Sequence, residues 1–209
     1  MTDGSTSKAE LLTLGHSTHP IERFITLLKD AGATAVADVR SSPYSRYSPQ
    51  YSKDALRGAL SDAGIAYTFL GKEFGARSPD PSCYRNGKVQ YSRLAKSAPF
   101  ADGIRRVTDG LKRFRIAFVC AEKDPIECHR ALLVARSFSD LGRSVAHIHA
   151  DGTLESHADL EGRLLKAWKL PEGDMFKSRE SFVEEAYLLQ GEKVAYQDEQ
   201  MLKAEVTEE

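Results

Sequence analysis

Two cysteines, a histidine, two glutamates and an arginine crowd into the run Cys120-Ala121-Glu122-Lys123-Asp124-Pro125-Ile126-Glu127-Cys128-His129-Arg130. These residue types can move protons, offer a thiolate, hold an anion or ligate a metal. Further polar candidates stand at His16 and Ser17, Asp38 and Arg40, Arg46, and His149. Glu122 and Asp38, brought to one cleft, would suit general acid–base hydrolysis, with His129 or His16 assisting. Arg40 and Arg130 would hold an anion, with Ser17, Arg46 and His149 completing the binding groups. Asp38 could instead be locked to Arg40 or Arg46. A metal site would need Cys120, Cys128, His129 and one of His147 or His149. The seven-residue gap between the cysteines, however, is not the close pairing of structural zinc sites. No metal ligand is therefore assigned and no cofactor is expected, a metal ion being the minor alternative.

The elements that must position these groups follow from periodicity. Arg115–Cys120 is too short and too rich in β-formers to be a helix and is expected as a strand. Asp124, Pro125 and Glu127 have the pattern of a capped helix start. If that helix runs on, Cys128 shares a stripe with Ala131, Val134, Ala135, Phe138 and Leu141 and faces the core. His129 and Arg130 would then turn outward, and Cys120 and Cys128 would be thiols of structural rather than reactive character. Four further strands are expected at 11–15, 35–39, 65–70 and 144–149, with helices between them. This alternation predicts an α/β fold: a five-stranded, mostly parallel sheet with helices on both faces, a three-layer sandwich of Rossmann-like layout. In such a sheet the strands' carboxyl ends share one rim, where ligands bind. His16 and Ser17, Asp38 and Arg40, Cys120 and Glu122, and His149 all follow strand ends.

At 209 residues with 41% hydrophobic content, the chain can bury a sizeable core. Residues 1–9 are small and polar and are expected to be disordered. Residues 10–168 form the α/β domain, and 169–209 an acidic extension whose one helix packs back on the body. The net charge of −1 divides unevenly, with +6 over residues 1–153 and −7 over 154–209. That division is compatible with an anionic ligand and equally with an ordinary acidic tail. Residues 71–98 carry six basic groups against two acidic ones, interleaved with Phe74, Tyr84 and Tyr91, and could form a lid. Three cysteines do not make a disulfide framework, and no run of eighteen apolar residues exists. A cytoplasmic protein with no membrane partner is expected.

Taken together, Gly15-His16-Ser17, Asp38-Val39-Arg40 with Ser42-Pro43 and Ser45, the Cys120–Arg130 run and His147-Ile148-His149-Ala150-Asp151-Gly152 resemble the bacterial and archaeal domain of unknown function 488 family. The resemblance spans about residues 11–168, and Val194-Ala195-Tyr196-Gln197 is similar to the family's tail. It implies a compact α/β fold and a pocket, but no settled reaction. The layout is also similar to rhodanese-like and cysteine-phosphatase domains, which need Cys-x5-Arg. Here the sixth residue after Cys120 is Ile126, so their mechanism does not carry over. The leading expectation is an enzyme, a hydrolase or transferase acting on an anionic, phosphate-bearing substrate such as a nucleotide or nucleic acid. The alternatives are a thiol-based sulfurtransferase or redox protein using Cys120 and Cys128, and a non-catalytic module binding nucleic acid or protein. The sequence names no protein partner.

Overall fold

The computed structural model describes residues 9–200 and 202; most of the N-terminal stretch expected to be disordered lies outside them. The chain runs through β1 (Leu11–Gly15), α1 (Ile21–Asp30), β2 (Ala35–Asp38), α2 (Lys53–Asp62), β3 (Ala66–Phe69) and the one-turn α3 (Gly71–Phe74). The hairpin strands β4 (Tyr84–Arg85) and β5 (Lys88–Val89) follow, then α4 (Tyr91–Leu94), α5 (Ala98–Gly110) and β6 (Ile116–Cys120). The chain continues with α6 (Arg136–Asp140), β7 (Val145–Ile148), β8 (Leu154–Ser156), α7 (His157–Ala167) and α8 (Arg179–Val194).

One sheet has the order β3-β2-β6-β1-β7-β8. Its first five members run parallel and correspond to the five expected strands, while β8 adds an antiparallel edge beside β7. Leu154–Ser156 is too short and polar to declare itself a strand by pattern. The late strand β6 inserts between β1 and β2, pairing Gly15 with Cys120 and Asp38 with Val119. The turns leaving β1, β2 and β6 therefore lie side by side on one rim.

Period-two alternation divides the core. Ile116, Phe118 and Cys120 face Phe74, Phe100, Val107 and Phe138 on one side. Ala117 and Val119 join Leu12, Leu14, Phe24, Leu28, Leu56 and Leu60 on the other. The first side is covered by α5 and α6, the second by α1 and α2. A third cluster forms where Leu160, Leu164 and Leu165 of α7 meet Phe182, Ala186 and Tyr187 of α8 over Ala131 and Leu132. Ser156 and Ser178 start these two helices, accepting from the backbone N–H groups of Asp159 and Ser181.

The expected lid is more ordered than its sequence suggests. Asn86 and Gly87, with φ of 52° and 65°, turn the β4–β5 hairpin. The N–H of Val89 then donates to Tyr196 O at 3.0 Å, tying the hairpin to the chain beyond α8.

A larger correction concerns the segment after β6. Asp124 does cap a turn, accepting from Ile126 N at 3.1 Å, but only a 3-10 turn forms over Pro125–Glu127. Cys128 is extended, with φ −142° and ψ 136°. A π-helical turn, Arg130–Ala135, follows with all six residues buried, and only then α6. Glu127 does not close a capping box; its carboxylate accepts from Lys193 Nζ at 2.9 Å. The extended residue interrupts the expected helix, yet Cys128 is buried as its spacing predicts, in one cluster with Val134, Ala135 and Phe138, while Leu141 at the end of the stripe is exposed. Arg130 is likewise enclosed rather than turned outward.

Candidate active site

Because Cys120 ends β6 on the same face as Phe118, its sulfur points beneath the segment that carries Cys128. The extended backbone at 128 swings the second sulfur to meet it. Glu122 reaches back from the loop, and its Oε2 lies 3.0 Å from both sulfurs. His129 completes the group, with Nδ1 at 3.8 Å from Cys120 Sγ and 3.9 Å from Cys128 Sγ. Its Nε2 lies 3.0 Å from Val39 O. A carbonyl only accepts, so Nε2 carries a proton and the ring is held with Nδ1 toward the sulfurs. Cys120, Cys128 and His129 are all buried, and their donor atoms, which could together hold a metal ion, lie within 4.8 Å of one another.

Charge separates the two thiols. The hydrogen bond with Cys128 and burial push Cys120 well above the usual thiol range. Burial also opposes ionisation of Cys128, but the Cys120 bond, the Arg130 charge and His129 together bring it well below that range. Burial pulls His129 down, yet its partnership with Cys128 and the Val39 carbonyl raises it overall. Glu122 is raised by burial of its carboxyl group and by the Cys128 charge, although the residue itself stays exposed at the pocket edge.

Arg130 supports this cluster from behind. Fully buried, it donates from Nη1 to Glu122 O at 2.6 Å and from Nη2 to Lys123 O at 3.0 Å. These bonds fix the loop after β6 and correct the expectation that Arg130 holds substrate: its guanidinium faces backbone carbonyls. A Cβ on Gly15 would sit 1.8 Å from Glu122 O, so the loop can lie this close only against a glycine. The N–H groups of His16 and Ser17 donate to Cys120 O and Ala121 O, both at 2.8 Å. Ser17, at φ 45°, thus acts on the loop through its backbone.

Asp38 is also fully buried and is locked to Arg40, one of the two readings its sequence left open. Its Oδ1 accepts from Arg40 Nε at 2.8 Å, and its Oδ2 from Arg40 Nη2 at 2.7 Å and Tyr67 OH at 2.9 Å. Arg40 Nη1 reaches His16 Nε2 at 3.3 Å, while His16 Nδ1 donates to Ser17 O at 2.9 Å and the ring stacks on Tyr51. Burial holds His16 down at about 4, outweighing the Ser17 carbonyl, with Arg40 adding to the depression. A neutral His16 and the Asp38 carboxylate therefore orient Arg40, and neither lies on the pocket wall.

The pocket itself has a volume of about 390 Å³. Its wall includes the Cys120, Glu122, Cys128 and His129 cluster together with Arg40, Ser41, Ser42, Arg77, Tyr91 and Tyr196. Arg77 donates its backbone N–H to Ser41 Oγ at 3.0 Å, and its guanidinium lies over the Tyr196 ring. Tyr91 and Arg77 come from the basic, tyrosine-bearing segment noted in the sequence; Tyr196 comes from the chain after α8. Nothing in their spacing marked them individually. Arg46 is exposed and off this wall. His149 lies elsewhere, 3.0 Å from Glu155 Oε2, and His147 is buried between Thr13 and His157. Neither histidine approaches the cysteines as the four-ligand arrangement would require.

No curated protein and no solved structure gives a match. The family model described as a domain of unknown function, DUF488, matches residues 20–137, from α1 to within α6. Since that span is more than half of the chain and contains the cysteine, glutamate and histidine cluster, the protein belongs to the DUF488 family.

Proposed function

We propose that the protein is an enzyme, a hydrolase or transferase, acting on a small anionic substrate of nucleotide size or less. One observation carries this reading: the Glu122 carboxylate, two thiols and an oriented imidazole converge on a pocket that also presents Arg40 and Arg77. Glu122, with its pKa raised, is suited to hold and return a proton at the reacting atom. Among the described residues no ion pair occupies Arg77, which is free to meet an anion. Arg40, partly neutralised by Asp38, contributes direction more than charge. A volume of 390 Å³ suits a phosphate ester or mononucleotide rather than a duplex.

The test is a panel of phosphate and carboxylate esters assayed with the wild type and Glu122→Gln. Turnover should fall by roughly 10²-fold or more in the variant. Inorganic phosphate should compete, and its affinity should drop in Arg77→Ala. Equal turnover in Glu122→Gln, or phosphate inhibition indifferent to Arg77, would overturn the proposal. A second reading, thiol chemistry at Cys128, is favoured by the low pKa of that sulfur beside His129 and Arg130. Mass-spectrometric alkylation of chelator-treated protein separates the two: slow labelling of Cys128 removes the thiol reading.

A further inference from the structure

Two thiols, an imidazole nitrogen and a carboxylate meeting at one point is more than proton transfer requires. The distances from His129 Nδ1 to the sulfurs, 3.8 and 3.9 Å, are long for hydrogen bonds. They are close to the edge of a tetrahedron around zinc, about 3.5 Å for bonds of about 2.3 Å to sulfur and about 2.0–2.1 Å to nitrogen. The Nε2–H bond to Val39 O is the kind of contact that holds a metal-ligating histidine in the required tautomer. Both thiols are free.

A second, independent observation is Arg130. It is a fully buried cation that forms no ion pair with a carboxylate among the described residues, and its Nε has no partner. Its backbone N–H donates to Cys128 Sγ at 3.4 Å. A buried guanidinium of this kind is costly unless negative charge lies nearby, and thiolate sulfur is what the surroundings offer.

We propose that Cys120, Cys128 and His129 bind one zinc ion, with the fourth position open to the pocket beside Glu122. Two thiolates and an imidazole are a donor set that zinc accepts, and three protein ligands with one open position distinguish catalytic from structural sites. The seven-residue separation of the cysteines is bridged by the 3-10 turn and the extended residue at 128, which together replace the close Cys pair of structural sites. The inference deepens the proposed function and rests on this pocket being the reaction centre.

The full chain, purified under reducing conditions and freed of metal with a chelator, should take up one equivalent of Zn²⁺. Co²⁺ should give the intense absorption of a four-coordinate thiolate site. Cys120→Ser and Cys128→Ser should each weaken the metal by about 100-fold or more, whereas Cys83→Ser and Glu122→Gln should retain one equivalent. Because buried variants can misfold, the wild type carries its own check: Zn²⁺ should protect Cys120 and Cys128, and not Cys83, from alkylation. Labelling of both thiols unaffected by Zn²⁺, a six-coordinate Co²⁺ spectrum, or equal metal loss in Cys83→Ser would overturn the site. Stoichiometric metal without turnover on any ester would leave the site standing and remove the enzymatic reading. Turnover by protein shown to be metal-free would do the reverse.

Discussion

Asp38 is a carboxylate at a strand end, in sequence indistinguishable from a catalytic one, yet every near neighbour turns it into a fixed counter-charge. Arg40 holds both its oxygens and Tyr67 adds a third side-chain donor. Replacing Asp38 with Asn leaves Arg40 enclosed without its anion, and unfolding by urea should show a loss of about 3 kcal/mol or more. By contrast, Glu122→Gln at the pocket edge should change stability little. Which carboxylate is which depends on what lies across the sheet, and a single sequence does not contain that neighbourhood. The same holds for Arg130, whose type suggested an anion ligand and whose location made it a brace for the loop. Cys128 is buried as its spacing predicts, though on an extended residue rather than a helical one. The helix expected from Asp124 and Pro125 is interrupted by that extended residue, while Val134, Ala135 and Phe138 keep the buried face that the stripe assigned them.

At the scale of elements, apolar runs and cap residues made β1, β2, β3, β6 and β7 legible, together with most of the long helices. The contacts joining the last strands and helices were not. Thr13 Oγ1 meets His147 Nδ1 at 2.8 Å, His147 Nε2 meets His157 Nδ1 at 3.0 Å, and His157 Nε2 meets Tyr187 OH at 2.9 Å. This buried polar line threads β1, β7, α7 and α8 through residues far apart in the chain. Burial lowers His157 to about 4, with the Arg136 charge adding to it. The folded protein therefore prefers the neutral ring, while the unfolded chain takes up a proton near the ordinary value of 6.5. This contribution to stability is complete above that value and is lost as the pH falls toward 4. Denaturation at pH 5 should register a deficit of about 2 kcal/mol from His157 relative to pH 7.5. In His157→Gln the deficit should shrink without vanishing, since His16 and His147 are displaced in the same direction.

Across the whole molecule, α8 joins the third apolar cluster to the site. Ala186 is fully buried between α7 and the π-helical turn, so Ala186→Asp should cost about 3 kcal/mol or more and open the 169–177 segment to proteolysis. The pocket should loosen with it, because Gln190 and Lys193 hold Glu127 just ahead of Cys128, and Tyr196 forms part of the wall. The family match ends at residue 137, well before these contributions. A ribosome emits the thiols, the glutamate and the histidine long before it emits Val194 and Tyr196. A nascent or prematurely terminated chain thus displays its most oxidisable atoms with one wall of their enclosure missing. Synthesis past Tyr196, rather than formation of the sheet, is the moment at which the centre gains that wall.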